Sequence, residues 1–319
     1  MRLALLLALA AFVSSPCAAA PAREAWIGTW GASPTPVNLV ATARARVSAR
    51  FSNQTLRQVV RVSAGGSKVR VRFSNEYGAA PLRIGAARLA LAGEGGAVLP
   101  GSDHVLTFGG SPEAVIPPGA PLVSDPVDMK VAALSSLAIS LYLPSETGPC
   151  TCHPVGVQTG YASNPGDFTA SAAFPPKESF LYRAFLSGVE VTPERAGTTV
   201  VVLGDSISDG TASTPDRNQR WPDRLSERLN ARDGDRHPWG VVNQGISGNR
   251  VLAPGAGESA LARFDRDVLS APGLGYVVVM LGINDLGLGL GPNAQPVKLT
   301  PAEVIAGYRQ MIARAHARD

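Results

Sequence analysis

The sequence predicts an all-β unit followed by an α/β unit built around a parallel sheet. Residues 25–192 contain short alternating runs separated by turn signals, which is typical of a β-sandwich. After residue 195, continuous apolar runs alternate with helical periodicity, which indicates a doubly wound parallel sheet. We therefore expect a signal segment at 1–20, a β-sandwich domain at 21–195 and an α/β domain at 196–319.

The first twenty residues have the pattern of a secretory signal peptide. Arg2 supplies the positive charge, residues 3–13 the apolar core, and the alanine triplet ending at Ala20 an A-x-A cleavage site. The apolar run is too short to span a bilayer. Lipoprotein processing at Cys17 is the alternative, although a proline directly before the cysteine, Pro16, disfavours that processing. We expect cleavage after Ala20 and a secreted or periplasmic protein without a membrane span.

Composition limits the classes of partner. Hydrophobic residues make up 45% of the chain and charged residues 17%, so the chain can bury a core. The net charge of +4 is spread without a basic run, so no nucleic acid partner is expected.

Cys150 and Cys152 are expected to form a local disulfide or to be idle thiols, with no catalytic role. His153 is adjacent, but no second ligand pair follows, so no metal site is expected.

The β unit shows several strand candidates. The run "KVRVRFSNEYG" places Val69, Val71 and Phe73 on one face and two arginines on the other. Further candidates are "TLRQVVRVSAGG", "SLAISLYLP" and "AFLSGVEVT". Residues 144–176 are rich in Pro, Gly, Ser and Thr and are expected to form a long loop.

The α/β unit is expected to contain three strands, each followed by a helix. The strands are residues 200–203, "GVVNQG" and "YVVVMLG". Pro222 can open the first helix, and a second helix is expected around Phe264. Thr300, Pro301 and Glu303 predict a capping box for the last helix. Its expected apolar face comprises Val304, Ile305, Tyr308, Met311 and Ile312.

Three loops follow these strands at what should be one edge of the sheet. They contain Gly204-Asp205-Ser206, then "NQGISGNR" with Gly248, and then "GIND" with Asn284. Acyl transfer needs a hydroxyl nucleophile and donors aimed at the developing oxyanion. Ser206 could supply the hydroxyl; the N–H groups of Ser206 and Gly248 and the Asn284 amide could supply the donors. Each motif alone is more often an ordinary turn, but the three together, in order, favour a catalytic site.

The joint pattern resembles the SGNH, or GDSL-type, ester hydrolases. The match is carried by G-D-S-I-S-D-G, N-Q-G-I-S-G-N and G-I-N-D, while "RWPDRL", "ARFDRDVL" and "YRQMIARAHA" are similar to two-domain bacterial members with a β domain first. The resemblance implies a flavodoxin-like three-layer α/β hydrolase domain. It also implies that Ser206 is the nucleophile and that Ser206, Gly248 and Asn284 form the oxyanion hole.

The resemblance assigns weaker roles to four neighbouring residues. Asp205 and Asp209 match motif positions, where shaping the loop is the expected role. Asn249 and Arg250 are expected to line the substrate rim.

The family's D-x-x-H motif, which carries the catalytic histidine and usually its aspartate, is missing from this sequence. His316 lies roughly 24 Å from the active edge at 1.5 Å per helical residue. His237 precedes the second strand, at the opposite edge, while His104 and His153 fall in the β unit. A loop with His153 could fold over the cleft, but nothing in the sequence requires it. We expect four ordinary surface or turn histidines and assign no catalytic histidine or aspartate in this chain.

The end of the sequence lacks a stop signal for its last helix, and the third strand lacks a neighbour on one edge. We expect a C-terminally incomplete chain: a fragment, a truncated product or one half of a split sequence. The 319 residues alone are then expected to be inactive or weakly active.

The sequence thus predicts an exported serine ester hydrolase that acts through a Ser206 acyl-enzyme and needs no metal or organic cofactor. Its partner would be a small-molecule or carbohydrate ester, such as an acyl group on a carbohydrate; lipid and thioester substrates stay open. The alternative is a glycan-binding protein whose α/β part is a catalytically dead remnant.

Overall fold

The computed structural model describes residues 24–36, 49–234, 236–286 and 299–318. The predicted signal peptide and its cleavage site at Ala20 lie outside these residues. Among the helices that are described, none combines the length and the apolar character needed to cross a membrane.

The N-terminal region consists of antiparallel strands, which form two larger sheets and two small ones. The strands are β1 (Ile27–Gly31), β2 (Gln54–Arg61), β3 (Gly66–Ser74), β4 (Leu82–Ile84), β5 (Ala86–Leu91), β6 (His104–Val105), β7 (Ala114–Ile116), β8 (Pro121–Val123), β9 (Val127–Val131), β10 (Ser136–Leu143), β11 (Cys152–His153), β12 (Gly160–Pro165), β13 (Pro176–Phe180), β14 (Arg183–Ala184) and β15 (Leu186–Thr192). One large sheet has the order β1-β15-β3-β8, with β9 also on β3, and the other β13-β12-β2-β10-β5-β6. The small sheets are the pairs β4–β7 and β11–β14.

The two larger sheets share one hydrophobic cluster. β2 and β10 of one sheet contribute Val60 and Ile139, and β3 and β15 of the other contribute Val71 and Val189. Burying each such side chain contributes about 1.5–3 kcal/mol. As predicted, Val69, Val71 and Phe73 are fully buried, whereas the arginines between them pair with Glu190 on the opposite face of β3. Alternation along β3 therefore sets which face meets the core.

The prediction of one long loop at 144–176 is wrong, because β11 and β12 lie within it. β12 pairs with β2, and β11 pairs with β14, so each strand is stabilised by a partner distant in sequence. The local Pro and Gly content gives no information about such a partner.

Cys150 and Cys152 form a local disulfide, with their Cα atoms 5.4 Å apart, just before His153.

The C-terminal region contains a parallel three-stranded sheet, as predicted. Its strands are β16 (Thr198–Gly204), β17 (Trp239–Asn243) and β18 (Leu274–Met280), in the order β17-β16-β18. The helices are α1 (Ser206–Asp209), α2 (Trp221–Asp233), α3 (Ala260–Phe264) with a π-helical turn at Asp265–Leu269, α4 (Ile283–Leu286) and α5 (Pro301–His316). Side chains of α2 pack on one face of β16, and those of α3 and α5 on the other.

Helix α5 begins as predicted but buries a narrower face than predicted. Thr300 and Glu303 form the capping box, with Pro301 at the first turn. Val304 and Met311 are buried, whereas Ile305 and Ile312 are 51% and 53% exposed, which corrects the predicted apolar face. The helix meets the sheet along a narrow stripe, and the Tyr308 hydroxyl donates to the carbonyl of Leu281.

Strand β1 lies against the C-terminal region and brings the two regions into contact. Gly28 N–H donates to Thr199 Oγ1 at 2.9 Å, and Val241 N–H donates to Ser63 Oγ at 2.7 Å. A Cβ on Gly240 would lie 1.9 Å from the carbonyl oxygen of Gly28, so only glycine permits this approach. The segment after β1 is thereby placed beside the loops of the α/β sheet.

Candidate active site

The first loop places Ser206 at the turn from β16 into α1. The Asp205 carboxylate accepts a hydrogen bond from Ile207 N–H at 3.0 Å and so caps α1. Burial raises the pKa of Asp205 above its ordinary value. Ser206 is half-buried, and the next residue, Ile207, is 53% exposed, so this turn is at the surface.

The second loop is held against the first by hydrogen bonds. Ile246 N–H donates to the Gly204 carbonyl at 3.0 Å. Ser247 donates from its N–H and its hydroxyl to the same Asp209 oxygen, at 2.7 and 2.6 Å. Gly248 follows with φ +82°, in the left-handed region that favours glycine. Asp209 therefore fixes the residue directly before Gly248.

The third loop is bound to the second. The Asn284 side-chain amide donates to the Asn249 carbonyl at 3.0 Å. Both carboxylate oxygens of Asp285 accept from Val251 N–H, at 2.9 and 3.0 Å. The structure thus brings all three predicted loops together at the carboxyl edge of the sheet.

Three donor groups at this edge remain available to a ligand. The N–H groups of Ser206 and Gly248 donate to no acceptor within the described parts of the chain. One amide hydrogen of Asn284 is engaged by Asn249, which orients the group and leaves the second hydrogen. A hydroxyl beside N–H donors of this kind can perform nucleophilic attack on a carbonyl group.

The prediction that Asn249 and Arg250 line the rim is corrected, because both are buried, at 1% and 7% exposure. Asn249 donates to the carbonyls of Ala256 and Glu258, and its Oδ1 accepts from Arg263, so its amide is fully engaged. The following turn folds back over both residues. Arg250 makes no side-chain hydrogen bond that involves the described residues.

Arg263 of α3 is the main residue that sequence reasoning missed. Its guanidinium is fully buried and donates to the Gln244 carbonyl at 2.7 Å, to Asn249 Oδ1 at 3.0 and 3.2 Å and to the Gly204 carbonyl at 3.4 Å. One side chain therefore binds the first loop and both ends of the second. The i,i+4 pair Arg263–Asp267 is visible in "ARFDRDVL", but its burial is not.

Asp267 provides the counter-charge for this cluster. Arg263 Nη1 lies 2.8 Å from Asp267 Oδ2, and Ser33 of the N-terminal region donates to the same oxygen at 2.5 Å. Burial alone would raise the pKa of Asp267, but the guanidinium groups of Arg266 and Arg263 outweigh it and hold this pKa below its ordinary value. Burial lowers the pKa of Arg263, against the effect of Asp267.

His153 is not the surface or turn histidine that was predicted. It lies in β11, is 4% exposed, and its Nε2 is 2.9 Å from Asp209 Oδ1. Its Nδ1 is 2.9 Å from the carbonyl oxygen of Ser33. The strand pair β11–β14 buries it at the junction of the two regions, and nothing in the local sequence reports that contact.

The other three histidines lie away from Ser206. His237 is bonded to Thr198 at the amino end of β16, roughly 20 Å from the carboxyl end at about 3.3 Å per residue. His104 is in β6 and bonds Ser102. His316 ends α5, where the nearby Arg318 reaches the Leu269 carbonyl ahead of β18.

The site thus has a serine on a strand-to-helix turn, with N–H groups that donate to no described acceptor, at the carboxyl edge of a parallel sheet. Residues 202–319 match the model of the GDSL-like Lipase/Acylhydrolase family. This part of the chain therefore carries a GDSL-like lipase/acylhydrolase domain, which confirms the resemblance seen in the three loop motifs and the predicted α/β class.

Several solved structures are similar to the chain at low identity. AlinE4, an SGNH-hydrolase family esterase, is 23% identical, with 39% of this chain and 55% of that chain covered and a TM-score of 0.29. A family two carbohydrate esterase from Cellvibrio japonicus is 11% identical, with 93% and 73% covered and a TM-score of 0.29. The salicylyl-acyltransferase SsfX3 is 15% identical, with 86% and 57% covered and a TM-score of 0.24. The match to AlinE4 spans about half of that enzyme's length. No curated protein matches the chain significantly.

Proposed function

We propose that the chain is an exported serine ester hydrolase in which Ser206 forms an acyl-enzyme. The observation that carries the proposal is the half-buried Ser206 near two N–H groups, of Ser206 and Gly248, that donate to no acceptor among the described residues. The Asn284 amide, oriented by Asn249, is the third donor. The GDSL-like domain at residues 202–319 supports the same chemistry.

In the proposed mechanism, Ser206 Oγ attacks the ester carbonyl while a general base takes its proton. The carbonyl oxygen becomes an oxyanion, which the three donors stabilise, and losing one such donor typically costs about 10²–10³ in rate. The alcohol leaves, and water then releases the acyl group from Ser206. Among the described residues, no histidine hydrogen-bonds the Ser206 hydroxyl; His104, His153 and His237 bond other groups instead.

The proposal extends to organisation and substrate. Residues 21–195 would form a β-sandwich domain, and residues 196–319 a flavodoxin-like three-layer domain. Acyl groups on carbohydrates are the first substrate class to test, because the predicted signal peptide directs the protein outside the cytoplasm, where such esters occur.

With imidazole in the buffer as an external base, a fluorophosphonate probe should label the protein at Ser206 and nowhere else. The reason is that imidazole can take the proton of any exposed serine, but only a serine beside oxyanion donors then attacks the phosphorus at a useful rate. Peptide mass spectrometry after proteolysis identifies the modified residue. Modification of another serine would refute the assignment, and absence of labelling would favour the glycan-binding alternative.

The exported protein should begin at Pro21. The A-x-A triplet and the short apolar core are the features that signal peptidase reads. N-terminal sequencing of protein recovered outside the cytoplasm measures this directly. A chain that begins at Met1, or at a lipidated Cys17, would show the prediction to be wrong.

A further inference from the structure

A continuous chain of polar groups joins the N-terminal region to the second loop. The Ser33 carbonyl is 2.9 Å from His153 Nδ1, and His153 Nε2 is 2.9 Å from Asp209 Oδ1. The other Asp209 oxygen accepts both hydrogen bonds from Ser247. The His153 and Asp209 side chains are 5% and 2% exposed, so water does not compete for these contacts.

The hydrogen-bond partners of His153 and Asp209 determine how many protons these two side chains hold together. A carbonyl oxygen only accepts, so Nδ1 of His153 must carry a hydrogen toward Ser33. The contact between Nε2 and the Asp209 carboxyl needs one more proton, whichever of the two residues holds it. The pair is therefore neutral as a whole. An oxyanion that forms beside Gly248 meets a neutral pair instead of a lone buried carboxylate, which would repel it.

Both ring nitrogens of His153 are engaged, so this histidine has no lone pair to offer to Ser206. Its influence must run through Asp209 instead. Asp209 holds Ser247 by backbone and side chain together, and the hydroxyl of Thr211 is 2.6 Å from that of Ser247 on the other side. Ser247 shares a peptide unit with the N–H of Gly248. The orientation of that N–H therefore depends on Asp209, and Asp209 depends on His153.

We propose that His153 is a positioning residue for the oxyanion hole, supplied by the N-terminal region. Through Asp209 and Ser247 it fixes the direction of the Gly248 N–H. Donors act only within about 2.7–3.1 Å of the oxyanion, so a small rotation of this peptide weakens transition-state stabilisation without changing ground-state binding. This inference rests on the proposed ester hydrolase function.

Two substitutions of His153 separate its two hydrogen bonds. The amide nitrogen of glutamine reaches about the position of Nε2 and can still donate to Asp209. The amide nitrogen of asparagine reaches about the position of Nδ1 and can donate only to Ser33. His153→Asn should lower the limiting rate of fluorophosphonate labelling by at least about tenfold, whereas His153→Gln should stay within about threefold of wild type. The probe concentration that gives half the limiting rate should not change.

Labelling is measured on the full chain at one fixed imidazole concentration. His104→Asn is the matched control, because His104 bonds Ser102 within the β region. The control should label at the wild-type rate. Equal rates for His153→Asn and wild type, or equal losses in both His153 variants, would overturn the inference. Failure of the wild-type chain to label at Ser206 even with imidazole would instead refute the proposed function, so the two failures are distinguishable.

If His153→Asn does not fold, a second variant, Ser247→Ala, tests the same inference. It removes the hydroxyl contact to Asp209 from the opposite side and leaves the N-terminal region unchanged. A loss of at least about threefold in the limiting labelling rate is expected, again with an unchanged half-saturating probe concentration. An unchanged limiting rate would overturn the inference.

Discussion

Replacing Ser206 with alanine should reduce hydrolysis of p-nitrophenyl acetate by the chain to the uncatalysed rate. The chain with Ser206 intact should already be slow, because no histidine among the described residues hydrogen-bonds that hydroxyl. Losing the base of a nucleophile–base unit typically costs about 10⁴–10⁶ in turnover, and the oxyanion donors preserve only a weak residue of activity. Release of p-nitrophenol by both proteins, followed by absorbance, measures the effect.

Imidazole in solution provides the control for this argument. It should accelerate hydrolysis by the wild-type chain, because it can accept the proton of Ser206, but not by Ser206→Ala. The variant also serves as the blank for hydrolysis by imidazole itself. Turnover by the 319-residue chain near the typical enzymatic value of about 10 s⁻¹ would contradict the missing-base argument and make His153 the first residue to re-examine.

Elements whose signals are local could be predicted from the sequence. The capping box at Thr300 and Glu303 places the start of α5, and the β-branched run before Gly204 identifies β16 as a buried strand. The three site loops could also be found, because glycine and small polar residues follow each parallel strand. Parallel order then brings those loops to one edge without further information.

Features that depend on distant partners could not be predicted. β12 is stabilised by β2, about a hundred residues earlier in the chain. The Pro and Gly content around β12 therefore predicts a loop where the structure has a strand. His153 meets Asp209 across 56 positions of sequence. The exposure of Ile305 and Ile312 depends on how narrowly α5 contacts the sheet, which helical periodicity does not report.

Arg263→Met should lower the free energy of unfolding by about 3–5 kcal/mol, the usual cost of removing one partner from a buried ion pair. Asp267 would keep Arg266 and Ser33 as partners but lose the contact at 2.8 Å. The carbonyls of Gly204 and Gln244 would lose a buried donor as well. Urea denaturation of wild type and variant at 25 °C measures the difference.

Arg263→Lys separates charge from geometry. A lysine keeps the charge beside Asp267, but its single ammonium cannot span the first loop and both ends of the second, as the guanidinium fork does. We therefore expect it to restore part of the stability while labelling at Ser206 stays at least about tenfold slow. Arg224→Met is the matched control, because Arg224 is 49% exposed and pairs with Glu227 on the same helix, where such pairs contribute about 0.3–0.5 kcal/mol. Equal losses of unfolding free energy in Arg263→Met and Arg224→Met would show that Arg263 does not hold the catalytic loops. Labelling of Arg263→Lys at the wild-type rate would show that the charge of Arg263 alone is enough.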